Sequence, residues 1–489
     1  MISERVQKQD TVAPRTAVTA MMALVFALGM QTMIVELALP RLLAPAFGNT
    51  LFCWTAAISE VLAALALGYH FGGILSSKKV ASRDRLLWRL AAISSGWVIL
   101  SAIGGDKIVH RLSGFGMITG PLVGTLLLAV PPAAFGAAVL PICVGVMSQS
   151  RESGRTAGRL YAFSTVGSVM GVLITGYLLL PVLGIAGALL TGAACVFVTF
   201  IPARHFVFGI IGFSVVIASA TFVEGPRADN ILMDKSNGYH RIRVVTSEKF
   251  PDLRLLYLDS SLEGAVKLSS TNPGLGYQRD GVRIVAQLPN IERCLFLGGG
   301  SFSMPRFLKA KYPDLTIDVA EIDPDVLDAA KTFLELSPGL NIFVGDARRV
   351  LASRPEKYDL IMNDAFHGLR KIPFHLVTRQ FHQIVADKLT PKGIYAINVI
   401  GRAQQSRLLS SMIQTLEQDF KWVNIAEAVK EGPQNLWILA SNHPIPVGGA
   451  ASTDPGKGTI LTDNHAPVEF LVVADLMEEK TIRRNKLRE

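Results

Sequence analysis

Cys294-Leu295-Phe296-Leu297-Gly298-Gly299-Gly300-Ser301-Phe302-Ser303 is a short apolar run that ends abruptly in three glycines. A run without polar alternation is typical of a strand buried on both faces of a parallel sheet, and glycines at its end let the backbone turn tightly and approach a ligand. A helix is predicted to follow, through Lys309. By itself this pattern also fits a plain tight turn. The units downstream carry it further. Thr316 to Ala320 reads as a strand ending in Glu321, placed where an acidic side chain can accept bonds from two ribose hydroxyls. Pro324 suits the first turn of a helix running to Leu334. A third strand, Asn341 to Val344, ends in Gly345-Asp346-Ala347, where Asp346 is placed to accept the exocyclic amine of an adenine. A fourth, Tyr358 to Met362, ends in Asn363-Asp364-Ala365-Phe366-His367, and a fifth covers Gly393 to Val399. Glycines or acids at the ends of successive strands mark the ligand edge of an open α/β sheet.

Upstream, the composition changes. The chain has 489 residues, half of them hydrophobic and only 18% charged, against about 25% in ordinary soluble domains. The deficit is concentrated between Ala17 and Phe222, where apolar runs alternate with short basic clusters. A bilayer core needs about 20 apolar residues per helix. Seven stretches qualify: Ala17 to Leu39, Leu51 to Phe71, Leu86 to Gly104, Ile118 to Leu140, Leu160 to Leu180, Val182 to Ile201 and Phe206 to Phe222. Pro131-Pro132 and Gly136 predict a kink, a re-entrant segment or two half-helices in the fourth. Glu36 and Glu60 lie in or near the first two spans, either bonding between helices or marking a substrate or proton site.

The net charge of +9 does not point to nucleic acid, because much of it lies in the loops around Lys78, Lys79 and Arg83 and around Arg151 and Arg155. That is the pattern of a cytoplasmic membrane face. Seven crossings would place the C-terminal domain on the other side, whereas its expected cofactor is cytoplasmic. An eighth crossing near Pro131, or an external N-terminus, reconciles the two. The expected placement is multi-pass in a cell membrane, with the C-terminal domain in the cytoplasm. Of the four cysteines, three fall in apolar runs, and none has the spacing of a zinc site or CxxC pair.

The expected organisation is a tail at 1–16, a bundle of seven or eight helices at 17–223, a linker at 224–237, a small antiparallel β subdomain at 238–290 and an α/β Rossmann-like domain of the S-adenosylmethionine-methyltransferase type at 291–489. The leading strands are read at Gly238 to Val245, Leu253 to Asp259 and Gly264 to Leu268. There is no Walker lysine, HExxH or GxSxG, so NTPase, zincin and serine hydrolase readings fail.

Leu297-Gly298-Gly299-Gly300, Glu321-Ile322-Asp323, Gly345-Asp346-Ala347 and Tyr358-Asp359 with Asp364 together resemble the spermidine synthase family, in particular a bacterial branch with a preceding multi-pass domain. The resemblance spans about Tyr239 to Asn398, and less closely the membrane part and Leu461 to Pro467. It implies an aminopropyl transfer from decarboxylated S-adenosylmethionine, without a metal, to an amine, with release of methylthioadenosine. The glycine loop with Ser301, Glu321 with Ile322, and Asp346 with Ala347 would hold the cofactor. Asp364 would orient and help to deprotonate the acceptor amine, and Tyr239 and Tyr277 match tyrosines near the substrates. His367 is a proton relay or a plain loop histidine, His375 is expected to structure the loop over the site, and Asp463 to line the acceptor side. By the same resemblance the protein is expected to form a homodimer.

Two departures from the family pattern bear on the substrate. Ser301 stands where the family has an aspartate that pairs with the cofactor's ammonium, and His367 stands where it has a second acceptor aspartate. A diamine needs negative charge at both ends to offset its desolvation. Free putrescine is therefore a poorer fit than an acceptor presented by the membrane, such as an amine-bearing lipid. The neutral Ser301 also keeps open methyl transfer from intact S-adenosylmethionine. A non-catalytic sensor or transporter of a polyamine or adenosyl metabolite is the third reading.

Overall fold

Backbone groups in a long apolar segment must bond within the segment, and the N-terminal part of the chain does so as helices: α1 (Arg15–Phe47), α2 (Leu51–Leu75), α3 (Val80–Leu112), α4 (Thr119–Leu128), α5 (Val130–Met147), α6 (Ser153–Ile174), α7 (Leu180–Val198) and α8 (Phe206–Val223). In this computed structural model the described residues are 15–486, apart from 49, 78–79, 148–152, 202–205, 224–228, 238, 289–290, 367–371, 403–405, 427–433, 448 and 451–457. The chain divides into two units, Met1–Pro226 and Arg227–Glu489.

Among the described residues, five helical runs rather than the expected seven are long and apolar enough to cross a membrane. The difference has two causes. The fifth and sixth expected spans share one run, Gly154–Val198, which includes a π-helical stretch at Thr175–Leu179 and leaves helical geometry at Gly184, with φ +66°. The last expected span is the shorter helix Val207–Ala220. Small residues let helix pairs approach closely. A side chain added at Gly167 or Gly171 of α6 would strike the α1 backbone at Phe26 or Met30, and one at Gly68 or Gly72 of α2 would strike α5 at Ala134 or Ala138.

The proline region resolves into two helices meeting at Ala129, whose N–H still bonds to Thr125 O and whose carbonyl accepts from Ala133. Pro131 and Pro132 cannot donate to the carbonyls four residues back, Leu127 and Leu128. Side chains of α3 replace those bonds: Trp97 Nε1 donates to Leu127 O at 3.0 Å and Ser101 Oγ to Leu128 O at 3.0 Å. Ser94 Oγ donates to Pro132 O at 2.8 Å and accepts from Gln31 Nε2. Ser101→Ala would leave a buried carbonyl unsatisfied, a loss of about 1–3 kcal/mol. The expected result is a lower melting temperature in detergent with unchanged ligand binding by the C-terminal unit; an unaltered melting curve would contradict this account. Glu36 and Glu60 each keep a buried Oε2 with no hydrogen-bond partner among the described residues.

The second unit opens with an antiparallel sheet of β1 (Ile231–Ser236), β2 (Arg241–Thr246), β3 (Leu253–Leu258) and β4 (Ser261–Lys267), in that order. The predicted linker at 224–237 thus contains a strand. Asp234 and Lys235 interrupt the apolar pattern of β1, and its pairing is fixed instead by the fork from Arg241 to Asp234, both bonds at 2.9 Å.

After α9 (Gly276–Gln287) come β5 (Arg293–Leu297), α10 (Ser303–Lys311), β6 (Thr316–Glu321), α11 (Pro324–Phe333), β7 (Asn341–Val344), α12 (Ala347–Ser353), β8 (Tyr358–Asn363), α13 (Arg379–Lys388) and β9 (Leu389–Gly401). The chain closes with α14 (Arg407–Leu416), β10 (Trp422–Ala426), β11 (Gln434–Ser441), β12 (Gly449–Ala450) and α15 (Val468–Lys486). The sheet order is β12-β10-β11-β9-β8-β5-β6-β7. Strands β5 to β9 are parallel, and β11 runs antiparallel between β9 and β10. This is the Rossmann-like, methyltransferase-type arrangement that the sequence predicts. Its central strands are buried on both faces, as Leu295, Ile317, Leu360 and Ile397 show. The downstream helices begin on side-chain caps: Asp323, Asp346, Thr378 and Ser406 each accept a backbone N–H in the first turn.

Candidate active site

Sheet order and register bring the expected residues to one edge. β5 lies between β8 and β6, with Leu297 opposite both Asn363 and Ala320, so Asp364, the glycine loop and Glu321 follow side by side. β7 is next, with Glu321 opposite Val344 and Gly345-Asp346 just beyond. Asp364 and Glu321 are two strand spacings apart, roughly 10 Å between backbones.

Gly298 is required twice over. Its φ is +100°, and an added Cβ would lie 2.6 Å from the Asp364 carbonyl oxygen. Gly299 and Gly300 donate their N–H groups to Glu321 Oε2 at 2.9 and 3.3 Å, while Asp323 N donates to Oε1 at 2.9 Å. Glu321 is 6% exposed. Burial pushes its carboxyl above the ordinary range despite those three bonds. Above the loop there is room, since a Cβ at Gly300 would meet nothing nearer than Glu263 O at 3.9 Å.

Farther along the edge, Asp346 Oδ1 accepts from Arg349 N at 3.1 Å and Oδ2 pairs with His375 Nε2 at 2.8 Å. His375 therefore ties its loop to the start of α12. Ala347 is buried in the first turn of α12, and Ile322 is 36% exposed beside Glu321. These side chains, with a glycine cradle open above them, fit the acceptors and close approach that an adenosine needs.

On the other flank, Asn398 Nδ2 donates to Asp364 Oδ1 at 2.7 Å. Asp364 is partly exposed, yet its carboxyl is pushed up to about 7. Burial is the main cause, with Asn398 opposing it and the negative charge of Glu263 adding to it. Tyr277 Oη donates to Glu263 O at 3.1 Å, and Gln278 Nε2 lies 3.4 Å from the same hydroxyl. Burial, reinforced by Asp364 and Glu263, holds the Tyr277 phenol well above its usual range, so it stays protonated. Asn398 and Glu263 are the two site residues that sequence reading missed. Asn398 lay within the predicted fifth strand, and Glu263 directly preceded a predicted leading strand.

Three expected residues are placed differently. Ser301 is 1% exposed, with Oγ 2.7 Å from Ser303 Oγ and 3.5 Å from Gln278 Nε2. Gly264 of β4 lies so close over it that a side chain there would overlap Ser301. The hydroxyl thus belongs to the packing between loop and β4 instead of facing a ligand. Asp463 is engaged by Arg348 through a two-bond fork at 2.8 and 2.7 Å and by Thr378 Oγ1 at 2.7 Å. Those partners hold its carboxyl below the usual range and make it a clasp between α12 and the start of α13, where an acceptor contact was expected. Tyr239 sits in the β1–β2 turn with 49% of its surface exposed. His367 lies outside the described residues. Among the described residues no group of three or more His, Cys, Asp or Glu is placed to hold a metal.

Residues 280–443 match the family described as "Spermine/spermidine synthase domain". A polyamine aminopropyltransferase of Vibrio vulnificus is 29% identical over 213 residues, covering 37% of this chain and 71% of that protein. Polyamine aminopropyltransferase 2 of Aquifex aeolicus is 22% identical over 434 residues, covering 82% of this chain and 83% of its own length. That share exceeds what the C-terminal unit alone supplies, so the likeness reaches into the helical unit. Among solved structures, a probable spermidine synthase from Corynebacterium glutamicum is similar with a TM-score of 0.40 and 22% identity, covering 47% of this chain and 84% of that one.

Proposed function

Because the chain belongs to the spermidine synthase family, we propose that it is a membrane-anchored aminopropyltransferase that uses decarboxylated S-adenosylmethionine and an amine acceptor and releases methylthioadenosine. The observation that carries this reading is the placement of Asp364 and Glu321 on opposite flanks of one glycine loop, at the ends of the two parallel strands that flank β5.

Each residue has a task that its surroundings permit. Gly299 and Gly300 hold Glu321 at the loop, where it takes the ribose hydroxyls, and Asp346 takes the adenine amine. The bound donor supplies an electrophilic carbon next to a sulfonium. Asp364, oriented by Asn398, aligns the acceptor amine and takes its proton as nitrogen forms the new C–N bond. The C–S bond breaks with its electron pair going to sulfur, which leaves as a neutral thioether. Positioning and deprotonation are the two contributions the chain makes to this displacement. Methyl transfer has less support, because the sealed Ser301 hydroxyl offers no partner to the carboxylate of intact S-adenosylmethionine.

The five long apolar helical runs support insertion in a bilayer, and the cytoplasmic origin of the donor favours that side for the catalytic unit. An acceptor presented at the lipid surface fits this anchoring. Purified full-length protein incubated with a membrane extract and either donor should yield methylthioadenosine from the decarboxylated one, read by mass spectrometry of the nucleoside product. S-adenosylhomocysteine from the intact donor would replace this reading with methyl transfer. Ligand binding without either product would replace it with a sensor.

A further inference from the structure

The turn between β1 and β2 is fastened to the loop that carries Glu321, and one side chain both shapes the turn and fastens it. Asn237 Oδ1 accepts from Tyr239 N at 2.7 Å and from His240 N at 3.0 Å, and Asn237 N donates to His240 O at 3.0 Å. An asparagine that bonds to the backbone two residues on closes a turn in this way. Asn237 Nδ2 donates to Asp323 Oδ1 at 2.7 Å and to Asp325 Oδ2 at 2.8 Å. A carboxamide has two donor hydrogens and two acceptor lone pairs, and these four side-chain bonds engage them all.

The bond to Asp323 leads directly to the ribose acceptor. Asp323 is fully buried, and its Oδ1 accepts from Asn237 and from Asp325 N at 2.9 Å. Its Oδ2 is closed off from solvent with no hydrogen-bond partner among the described residues. A carboxylate is costly to bury unless it is bonded, so the Asn237 amide is one of two groups that hold Asp323 in place. Asp323 in turn donates its N–H to Glu321 Oε1, the oxygen that the N–H groups of Gly299 and Gly300 do not reach. A separate tie joins the same two segments at the surface, from the half-exposed Lys235 to Asp325 Oδ1 at 2.6 Å. We propose that Asn237 is a positioning residue for the donor: through Asp323 it fixes the Glu321 carboxylate that receives the ribose hydroxyls. This rests on the transferase reading above and deepens it, because it gives the small leading sheet a part in ordering the sugar site.

In the full-length protein, Asn237→Ala is expected to lower methylthioadenosine affinity about tenfold or more and to raise the donor KM to match, with kcat and acceptor KM within about twofold of wild type. Lys235→Ala removes the exposed tie and should leave affinity unchanged. An equal loss in Lys235→Ala would mark a general loosening of the turn and overturn the proposal. Asn237→Asp keeps the two acceptor bonds of the turn but cannot donate to Asp323, so it should lose as much as Asn237→Ala. Full affinity in Asn237→Asp would reduce Asn237 to a turn former and overturn the proposal as well. If Asn237→Ala does not fold, the comparison of Asn237→Asp with Lys235→Ala decides the matter in the same way. Because Asn237 acts through Asp323, adding Asn237→Ala to Asp323→Ala should cost no further affinity, and additive losses would contradict that route. Wild-type protein that binds methylthioadenosine but forms no product would refute the transferase reading alone, and the variant affinities would still judge Asn237. Wild-type protein that does not bind methylthioadenosine would overturn both.

Discussion

Asp364→Asn is expected to lower kcat by about a hundredfold to ten-thousandfold, the usual contribution of a positioned general base, while leaving methylthioadenosine affinity within a few fold. The amide keeps the size of the side chain, so the backbone contacts that fix it, Asp364 N to Leu297 O at 2.9 Å and the close approach of Gly298, are unaffected. What is lost is the ability to take a proton. The wild-type carboxyl, pushed up to about 7 by burial, is mostly protonated below that pH and ionised above it. The rate constant kcat/KM should therefore fall about tenfold per pH unit below 7, and the variant should lack that limb. A bound cation favours the carboxylate, so the same limb in kcat should lie at lower pH.

The same shift has a consequence for stability, with a definite sign. A carboxyl raised in the folded state binds its proton more tightly there than in the unfolded chain, so its stabilising contribution is complete below the unfolded value and is lost as pH rises through about 7. Asp364→Asn removes an unfavourable buried charge. It should melt higher than wild type at pH 8 and no higher at pH 4. Loss of activity together with a gain of stability at alkaline pH would separate a catalytic from a structural role, because a residue needed only for folding would lose both.

The parts of this site that were legible in the sequence are those written locally. A strand buried on both faces is a continuous apolar run, and the residue just past its end is the one that meets a ligand, so Gly298, Glu321, Asp346 and Asp364 could be placed from their neighbours. The rest depends on contacts between distant segments. Ser301 is sealed because Gly264 brings β4 over it. Asp463 is taken up by an arginine 115 residues away in sequence. Glu263 lies on a strand whose pairing shifts between Leu256 and Tyr257, and an irregular register hides which face a side chain takes. The same holds for the helical unit. Pro131 and Pro132 announced a break, but Trp97 and Ser101, which satisfy the carbonyls those prolines leave open, lie on another helix with no pattern that links them. The run from Gly154 to Val198 leaves helical geometry at Gly184, so the two spans read there are helical segments joined at a kink.

Glu321→Gln should be more damaging to binding than its size suggests. The carboxylate accepts from Gly299 and Gly300 with one oxygen and from Asp323 with the other. A glutamine amide presents one oxygen and one donor nitrogen, so in either orientation an NH2 group faces a backbone N–H in a site that is 6% exposed. The loop cannot keep its path, and the acceptors for the ribose hydroxyls go with it. Two lost hydrogen bonds to a charged group, each worth about 1.5–3 kcal/mol, correspond to a loss of methylthioadenosine affinity of about a hundredfold or more by isothermal titration. Glu321→Asp keeps the charge but shortens the reach, and should recover a small part of that affinity. Burial already holds the Glu321 carboxyl above the ordinary range against three opposing N–H bonds, so ribose hydroxyls that donate to it should pull it back down, and binding should release protons at pH values near the free carboxyl's titration. Retention of full affinity in Glu321→Gln would mean that adenosine does not lie along this edge of the sheet, and the assignment of Asp364 as the base would lose its geometric ground with it.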